Sequence, residues 1–174
     1  MQNGTLDTTG LNNGTAPSEN WTGYTGGTLV SKKDAQVYNY ITQNKAAEVS
    51  RAMYSNLGKF ESDLINSYAW DTATLFLQEF GEANYSIKSS VNTSSDGLAN
   101  TGTTTDHLCN VYDMASNCHE WTTETSDNSG APCVLRGGQY YGSNYYTSYR
   151  VPNLHVSNAN VNFSFRPILY VKQN

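Results

Sequence analysis

The stretch of sequence that decides the fold is Asn110-Val111-Tyr112-Asp113-Met114-Ala115-Ser116-Asn117-Cys118-His119-Glu120-Trp121-Thr122. Short strands are predicted at Val111–Asp113 and at Cys118–Glu124, which overlap this block. Trp121 supplies a large area for burial, and its indole N–H needs a hydrogen-bond partner once it is buried. We therefore expect the block, residues 110–122, to be part of the buried framework.

Glycine and arginine residues after the block support the same interpretation. Gly137 and Gly138 have no side chains, so they allow strand backbones to approach closely. We expect the arginines of the region to hold loop carbonyls or the Glu120 carboxylate: Arg136, Arg150 and Arg166. These features predict a structural role for the block and for the strands after it.

Two helices are predicted upstream of the block. Thr42 is a suitable N-cap for the first, which ends near Gly58 and has apolar positions at 3,4,4 spacing: Ala46, Val49, Met53 and Leu57. The second begins after Asn66 or Ser67 and stops at Gly81. Its apolar face is expected to contain Ala69, Ala73, Phe76 and Phe80, widened by Trp70 and Leu77.

The rest of the sequence predicts short strands and long loops. A strand is expected around Val37–Ile41, and three more follow the block: Cys133–Arg136, Tyr145–Arg150 and Phe163–Val171. Residues 84–106 are rich in Ser, Thr, Asn and Gly without periodicity, which predicts a long loop. Two helices followed by short strands and long loops indicate an α+β fold.

Composition limits the organisation and the partners of the chain. Its 174 residues suit one domain, which we place at residues 26–174. Residues 1–25 are typical of a flexible linker or tail leading from an upstream domain, and they lack the basic and apolar regions of a signal peptide. The formal net charge of -5 comes without a clustered Lys/Arg stripe, which predicts no nucleic-acid partner. No apolar run of about 18 residues occurs, so no membrane insertion is expected.

Three cysteines are present, at positions 109, 118 and 133. They have neither an even count nor the CxxC spacing of a zinc site. One disulfide with a free thiol and three free thiols are both compatible with the sequence. Cys118 and Cys133 are expected on neighbouring strands, so contact between them is favoured over a bridge from Cys109.

Four parts of the chain together resemble one known family. The block resembles the pattern N-x-Y-D-M-A-G-N-V-x-E-W-T of the formylglycine-generating-enzyme (sulfatase-modifying factor) branch of the C-type lectin fold. The partners of this pattern are also matched in order, by Ala69-Trp70-Asp71, Arg136-Gly137-Gly138 with Arg150, and Phe163 to Pro167. The resemblance implies a C-type lectin fold of the formylglycine-generating-enzyme type, with two helices packed on short, mostly antiparallel strands.

The resemblance also implies a calcium site in the loop before Trp121. In this family, backbone carbonyls and the Glu carboxylate often bind the ion, which gives Ala115, Ser116, Cys118 and Glu120 here. Calcium takes six to eight oxygen ligands, which a carboxylate and the carbonyls of a tight turn largely supply. The alternative is that Glu120 accepts hydrogen bonds from backbone groups or an arginine. Ser116 stands where the family has Gly, which weakens the match if that position is left-handed.

Catalysis is not expected. The oxidases of the family bind copper through two cysteines in their last strands. Here the last cysteine is Cys133, and the corresponding stretch, Tyr145–Arg150, has hydroxyl groups where those thiolates would be. His107, His119 and His155 lack the spacing of an iron site, and each is expected in a loop or at the surface. The chain is therefore expected to need no cofactor. A divergent oxidoreductase of the sulfatase-modifying-factor type is the alternative.

The unmatched segment, residues 139–163, predicts a binding surface. It is rich in tyrosine and in small polar residues and contains no acid, as in antibody binding loops, where Tyr supplies rigid area and amides supply adaptable hydrogen bonds. The candidate ligand-binding residues are Gln139, Tyr140, Tyr141, Asn144, Tyr145, Tyr146, Asn153, His155, Asn158, Asn160 and Asn162.

A second resemblance concerns this segment. The variable proteins of diversity-generating retroelements, in phage tail adhesins and bacterial surface proteins, display similar Tyr/Asn-rich segments after the R-G-G motif. It implies a protein or glycan receptor on a cell or virion surface as the partner, and an extracellular, cell-surface or virion location. A fixed calcium-dependent carbohydrate-binding lectin is the alternative.

Overall fold

The computed structural model describes residues 2–3, 29–35, 37–55, 57–93, 95–142 and 144–172. Two α-helices, one 3₁₀ helix and ten short strands occur within these residues. In chain order they are β1 (Gln2–Asn3), β2 (Leu29–Val30), α1 (Gln43–Met53), β3 (Phe60–Leu64), α2 (Ser67–Phe80), the 3₁₀ helix (Tyr85–Ile87), β4 (His107–Leu108), β5 (Val111–Tyr112), β6 (His119–Thr125), β7 (Cys133–Arg136), β8 (Arg150–Leu154), β9 (Phe163–Phe165) and β10 (Pro167–Val171). The predicted linker, residues 1–25, lies outside the described residues apart from Gln2–Asn3.

The central sheet has the strand order β8-β7-β6-β9. Neighbouring strands are antiparallel except β6 and β9, which are parallel. In its register Trp121 lies opposite Leu135, and Glu120 lies opposite Arg136. Three further antiparallel pairs are β10 with β3, β4 with β5, and β1 with β2. The expected α+β architecture is confirmed, and the block supplies strands to two of these sheets.

Helix α1 begins where its cap predicts and ends one turn early. The Thr42 side chain accepts a hydrogen bond from the Lys45 amide, and Ala46 and Val49 are buried. The helix stops at Met53, so Leu57 lies beyond it and is 47% exposed. The prediction that Leu57 belongs to the buried face was therefore wrong.

Helix α2 has the predicted bounds but a different orientation about its axis. Asn66 caps it by accepting from the Ala69 amide, and the helix buries Trp70, Thr74 and Leu77. Phe76 and Phe80, which were expected to face the core, are 44% and 70% exposed. The buried face is centred on Trp70 because its indole N–H donates to the Thr147 carbonyl, 2.9 Å away across the fold.

Two apolar clusters form the core, and each contains a tryptophan. Trp121 packs with Leu135 and Phe165 under helix α1, and its indole N–H donates to the Ile41 carbonyl at 2.8 Å. Trp70 packs with Met114 in the second cluster, beneath α2. The expected burial and hydrogen bonding of Trp121 are confirmed.

Three of the expected strands differ from the structure. Val37–Ile41 is buried but forms no strand, and the positive φ of Tyr40, 56°, interrupts an extended path. The strand expected at Tyr145–Arg150 begins only at Arg150, after an isolated bridge between Tyr146 and Ser89. The one expected at Phe163–Val171 is divided at Arg166, where the chain leaves the central sheet to pair with β3.

The long loop, residues 84–106, is fixed by polar side chains of the block. Asn117 donates to the Ala99 carbonyl and accepts from the Ala99 amide through its side chain, and its own amide donates to Asn92. The Ser116 hydroxyl accepts from the Val91 amide at 3.0 Å. The left-handed residue of this turn is Asn117, with φ 71°, so Ser116 needs no glycine-like conformation.

All three cysteines are free thiols, of which Cys109 is exposed and the others are buried. The register places Cys133 opposite Thr125, whereas Cys118 precedes the other end of β6. The expected contact between Cys118 and Cys133 was therefore wrong. No helix in the described part of the chain is long and apolar enough to cross a membrane.

Candidate functional site

The first residues of the segment 139–163 are structural. Gln139 and Tyr140 are buried, and the Tyr140 amide donates to the Asn117 carbonyl at 3.0 Å. The Gln139 side-chain oxygen accepts from the side chain of Asn162 at 2.7 Å. Tyr140 thus joins the segment to the block, Gln139 and Asn162 join its two ends to each other, and Gln139 and Tyr140 offer little surface to a partner.

The next part of the segment contains tyrosines that are exposed or half-buried, and we call the following set of residues the tyrosine face: Tyr141, Asn144, Tyr145, Tyr146 and Tyr149. Tyr141 is 64% exposed, Tyr146 and Tyr149 are each 38% exposed, and Asn144 is exposed as well. Tyr145 is half-buried, with its ring edge-on to Tyr149 at 4.9 Å between centroids. Tyr149 was not among the predicted site residues, because its neighbour Arg150 suggested framework packing.

His119 lies directly beneath the tyrosine face. Its ring is 4.9 Å from Tyr145 and stacks on Tyr149 at 6.3 Å, between centroids. Nδ1 is 2.8 Å from the Gly137 carbonyl, which requires the proton on Nδ1. Burial lowers the pKa of His119 to about 4, so the imidazole is neutral at physiological pH. The expectation that His119 lies in a loop or at the surface was wrong, because His119 is buried in strand β6. All four residues from His119 to Thr122 are buried, so no alternation of buried and exposed positions in the sequence indicates that His119 is inside.

The remaining candidate residues do not join the tyrosine face. Strand β8 runs from Arg150, opposite Arg136, to Leu154, opposite Cys133. Asn153, His155 and Asn158 therefore lie at the far end of the central sheet, where Asn153 contacts the Ser126 hydroxyl. Asn160 is exposed, its side chain accepts from the Val161 amide, and its carbonyl accepts from the Tyr40 amide. The expected single surface is divided in two by the length of β8.

The residues proposed for calcium make other contacts. Both oxygens of the buried Glu120 carboxylate accept from Arg166 at 2.8 Å. The Ala115 amide donates to Asp106, and the Ser116 hydroxyl accepts from the Val91 amide. Burial raises the pKa of the Cys118 thiol. The Glu120 carboxylate is thus already paired with an arginine, whereas these contacts do not involve the backbone carbonyls that would bind the ion, so calcium stays a prediction. The contacts agree with the alternative of an arginine partner for Glu120.

Arg136 and Arg150 also hold the framework, as expected. Arg136 is 6% exposed and donates to the Ser148 carbonyl and to Asp71 of α2. Arg150 donates to Glu124 and to the Thr125 carbonyl. The two arginines thus support the backbone on either side of Tyr149.

Metal-binding side chains are not clustered. Within the part of the chain that the structure describes, no group of three or more His, Cys, Asp or Glu residues is arranged to hold a metal ion. His107 and His155 are exposed and far apart in the sequence, and His119 is enclosed by tyrosines. The histidines of the described residues are therefore not grouped with other metal-binding side chains.

The architecture and the block together define the chain as a C-type lectin fold of the formylglycine-generating-enzyme type. Solved structures with this fold are similar to it. A crystal structure of CarF matches with a TM-score of 0.58 and 12% identity, over 81% of this chain and 69% of CarF. The structure of PvdO from Pseudomonas aeruginosa matches with a TM-score of 0.59 and 14% identity, over 83% of this chain and 64% of PvdO. At these identities the likeness concerns the fold alone.

No protein-family model matches the sequence, and no curated protein matches it either. The fold class expected from the block is confirmed by the structural neighbours. The function must therefore be argued from the residues of the site.

Proposed function

We propose that the chain is a non-catalytic binding module that presents the tyrosine face to a protein or glycan receptor on a cell or virion surface. The observation that carries the proposal is the exposure of several tyrosines from one short loop, with Tyr141 at 64%. Exposed tyrosines are enriched in binding surfaces because they offer large contact area at a low cost in side-chain entropy. On this proposal the module acts outside the cell or on a virion.

Hydrogen bonds from the framework to Thr147 and Ser148 favour a preorganised tyrosine face. The Thr147 carbonyl accepts from the Trp70 indole at 2.9 Å, and the Thr147 amide donates to the Lys88 carbonyl at 3.0 Å. Arg136 holds the next carbonyl, that of Ser148, at 3.3 Å. A loop fixed in this way loses little conformational freedom when a partner binds, which favours affinity.

The absence of catalysis is part of the proposal. The stretch that carries copper-binding cysteines in the oxidases of the family contains Tyr, Thr and Ser here, and the hydroxyls of neutral side chains are poor ligands for a cuprous ion. If the purified protein consumed oxygen with copper or iron and a Cys-containing peptide, the oxidoreductase alternative would replace this one. We propose no required cofactor, calcium included.

The test compares binding by matched tyrosine variants. The purified domain is applied to glycan arrays and to panels of bacterial cells, and the affinity for each responding target is measured. We expect the double variant Tyr141→Ser/Tyr146→Ser to lose at least about tenfold in affinity, since truncating an aromatic anchor commonly costs 1 kcal/mol or more. The control is Tyr68→Ser, because Tyr68 is 83% exposed on α2, outside the face.

Equal losses in the two variants would contradict the proposal, as would binding that survives both. A chelator distinguishes the lectin alternative, because a calcium-dependent lectin loses its ligand in EDTA. We expect binding to be unaffected by EDTA, since Glu120 is already paired with Arg166.

We further propose that the tyrosine face belongs to a diversified segment. Support comes from the Tyr/Asn-rich composition of residues 139–163 beside an R-G-G motif. The DNA downstream of the gene should then hold a near-copy of the codons for this segment, differing mainly at adenines of that copy. Without such a copy the face is a fixed binding surface, and the binding proposal itself is unaffected.

A further inference from the structure

A second concave site lies away from the tyrosine face. A cleft of about 590 Å³ opens between α2, β10, the block, residues 31–33 and Val37. Its described lining includes none of the five residues of the tyrosine face. Small-molecule sites usually have volumes of this order, with apolar walls and a few polar groups that fix the ligand.

The Glu120–Arg166 ion pair lines the cleft and leaves one donor group available. Arg166 Nε and Nη2 each donate to Glu120 at 2.8 Å, and Nη2 also donates to the Tyr112 carbonyl at 2.8 Å. Nη1 makes no hydrogen bond within the described residues, and the side chain of Arg166 is 27% exposed. Its two N–H groups are therefore available to a molecule in the cleft.

Two lysines add positive charge to the same lining. Lys32 and Lys33 are exposed, and neither forms a salt bridge with any described residue. Their backbone is fixed, because the Thr101 hydroxyl donates to the Lys32 carbonyl at 3.0 Å and the Asp34 amide donates to the Thr101 carbonyl at 2.8 Å. The ammonium groups therefore belong to a segment held in place beside the cleft.

The acids of the cleft already accept hydrogen bonds from the framework. Glu120 is paired with Arg166, and the Asp113 carboxylate accepts from the Gly102 amide at 2.6 Å and from the Thr104 hydroxyl at 2.8 Å. The described lining holds three cationic side chains, Lys32, Lys33 and Arg166, against two carboxylates, those of Asp113 and Glu120, which gives a formal net charge of +1. An anionic group fits these donors, because charge-assisted hydrogen bonds to carboxylates or related anions are strong.

The remaining lining is largely apolar. Val37, Ile65, Ala69, Ala73, Met114 and Ile168 supply aliphatic surface, and the two alanines of α2 leave space where larger side chains would fill the cleft. An apolar group placed there removes hydrocarbon surface from water. The cleft thus combines an aliphatic wall with two lysines that form no salt bridge within the described residues and with Nη1 of Arg166.

We propose that this cleft binds a small organic anion with an apolar body, whose acid group contacts Arg166 Nη1 and the lysines. This site goes beyond the proposed function, because it uses another surface and another class of ligand. It does not depend on the tyrosine face, so either site can be tested while the other fails.

The test uses a pair of fluorescent probes that differ in one acid group. 1-Anilinonaphthalene-8-sulfonate has an apolar body with a sulfonate, and N-phenyl-1-naphthylamine has the same body without it. We expect saturable binding of the sulfonate probe at one site, with about tenfold lower affinity for the neutral probe, as the loss of a charge-assisted hydrogen bond predicts.

Matched variants locate the site. The double variant Lys32→Gln/Lys33→Gln should lower the affinity for the sulfonate probe about tenfold and leave the affinity for the neutral probe unchanged. Lys59→Gln/Lys172→Gln makes the same change of charge outside the cleft lining and should leave both probes unchanged. Ala73→Leu should weaken both probes by filling the cleft, with the unfolding midpoint measured to confirm that the variant is folded.

Three results would overturn the proposal. These are no saturable binding of the sulfonate probe, equal affinity for the two probes, or equal effects of the two lysine pairs. Tyr141→Ser/Tyr146→Ser serves as a further control, and its affinity for the sulfonate probe should equal that of the unaltered protein.

Discussion

Arg166 joins three parts of the chain through its side chain and its backbone carbonyl. Its guanidinium donates to both oxygens of Glu120 on β6 and to the Tyr112 carbonyl of β5, while its own carbonyl accepts from the Ile65 amide before α2. Burial alone would lower the pKa of Arg166, but the adjacent Glu120 carboxylate more than offsets it, so the pKa is raised. The Arg166 guanidinium therefore stays charged at physiological pH.

Removing the guanidinium should be costly. In Arg166→Met the Glu120 carboxylate stays buried without its partner, and losing one member of a buried pair costs about 3–5 kcal/mol of unfolding free energy. The control is Arg51→Met, which breaks a pair with Asp63 in which Arg51 is 60% exposed, and we expect a loss of about 0–1 kcal/mol. Urea denaturation measures both, and similar losses would show that Arg166 is not a framework residue.

His119 makes stability depend on pH. The folded-state pKa of about 4 is below the ordinary value of 6.5, so between these values the unfolded chain binds the proton and the folded protein does not. Stability contributed by the neutral imidazole is full above pH 6.5 and is lost as pH falls toward 4, by up to roughly 3 kcal/mol.

The variant His119→Asn isolates this effect, because its side-chain amide keeps a donor for the Gly137 carbonyl but does not titrate. We expect a lower stability at pH 7 and a flatter dependence on pH between about 4 and 6.5. The measurement is the free energy of unfolding in urea across this range. Identical slopes in the two proteins would exclude His119 as the source.

At the scale of elements, the sequence predicts where the helices lie better than which side they bury. Thr42 and Asn66 identify both helix starts, because a cap is a local hydrogen bond. The rotation of α2 depends on the Trp70 indole reaching Thr147, a contact between residues far apart in sequence, and no local pattern reports it. For the same reason the periodicity did not identify Phe76 and Phe80 as exposed.

The end of β7 packs against the turn of the block with no room for a side chain. A Cβ at Gly138 would lie 1.6 Å from the Ala115 carbonyl oxygen, so Gly138→Ala forces the two backbones apart. We expect Gly138→Ala to lower the free energy of unfolding by at least about 3 kcal/mol, at the upper end of the cost of overpacking. Gly130→Ala is the control, since its Cβ meets only the Asn128 side chain at 3.6 Å and should change stability by less than about 1 kcal/mol. Thermal unfolding compares the two, and equal midpoints would refute the close approach.

At the scale of the whole molecule, the framework divides the segment 139–163 into parts with different roles. The block and its arginines could be assigned to the framework from sequence, because Trp, Gly and paired charged residues have few roles at an exposed surface. The division of the segment could not, because buried Tyr140 and exposed Tyr141 are the same residue type one position apart. Only the register of β8 shows that Asn153 and His155 lie at the other end of the sheet.

We propose that the framework is stable without the exposed side chains of the tyrosine face. The most direct measurement is the thermal unfolding midpoint of two triple variants from the same segment. Replacing Tyr141, Asn144 and Tyr146 by Ser should leave the midpoint within a few degrees of the unaltered protein, because their exposed side chains contribute little to stability. Replacing Gln139, Tyr140 and Thr147 by Ser should lower the midpoint by more than about 10 °C, since all three are buried. Equal losses in the two variants would contradict the claim.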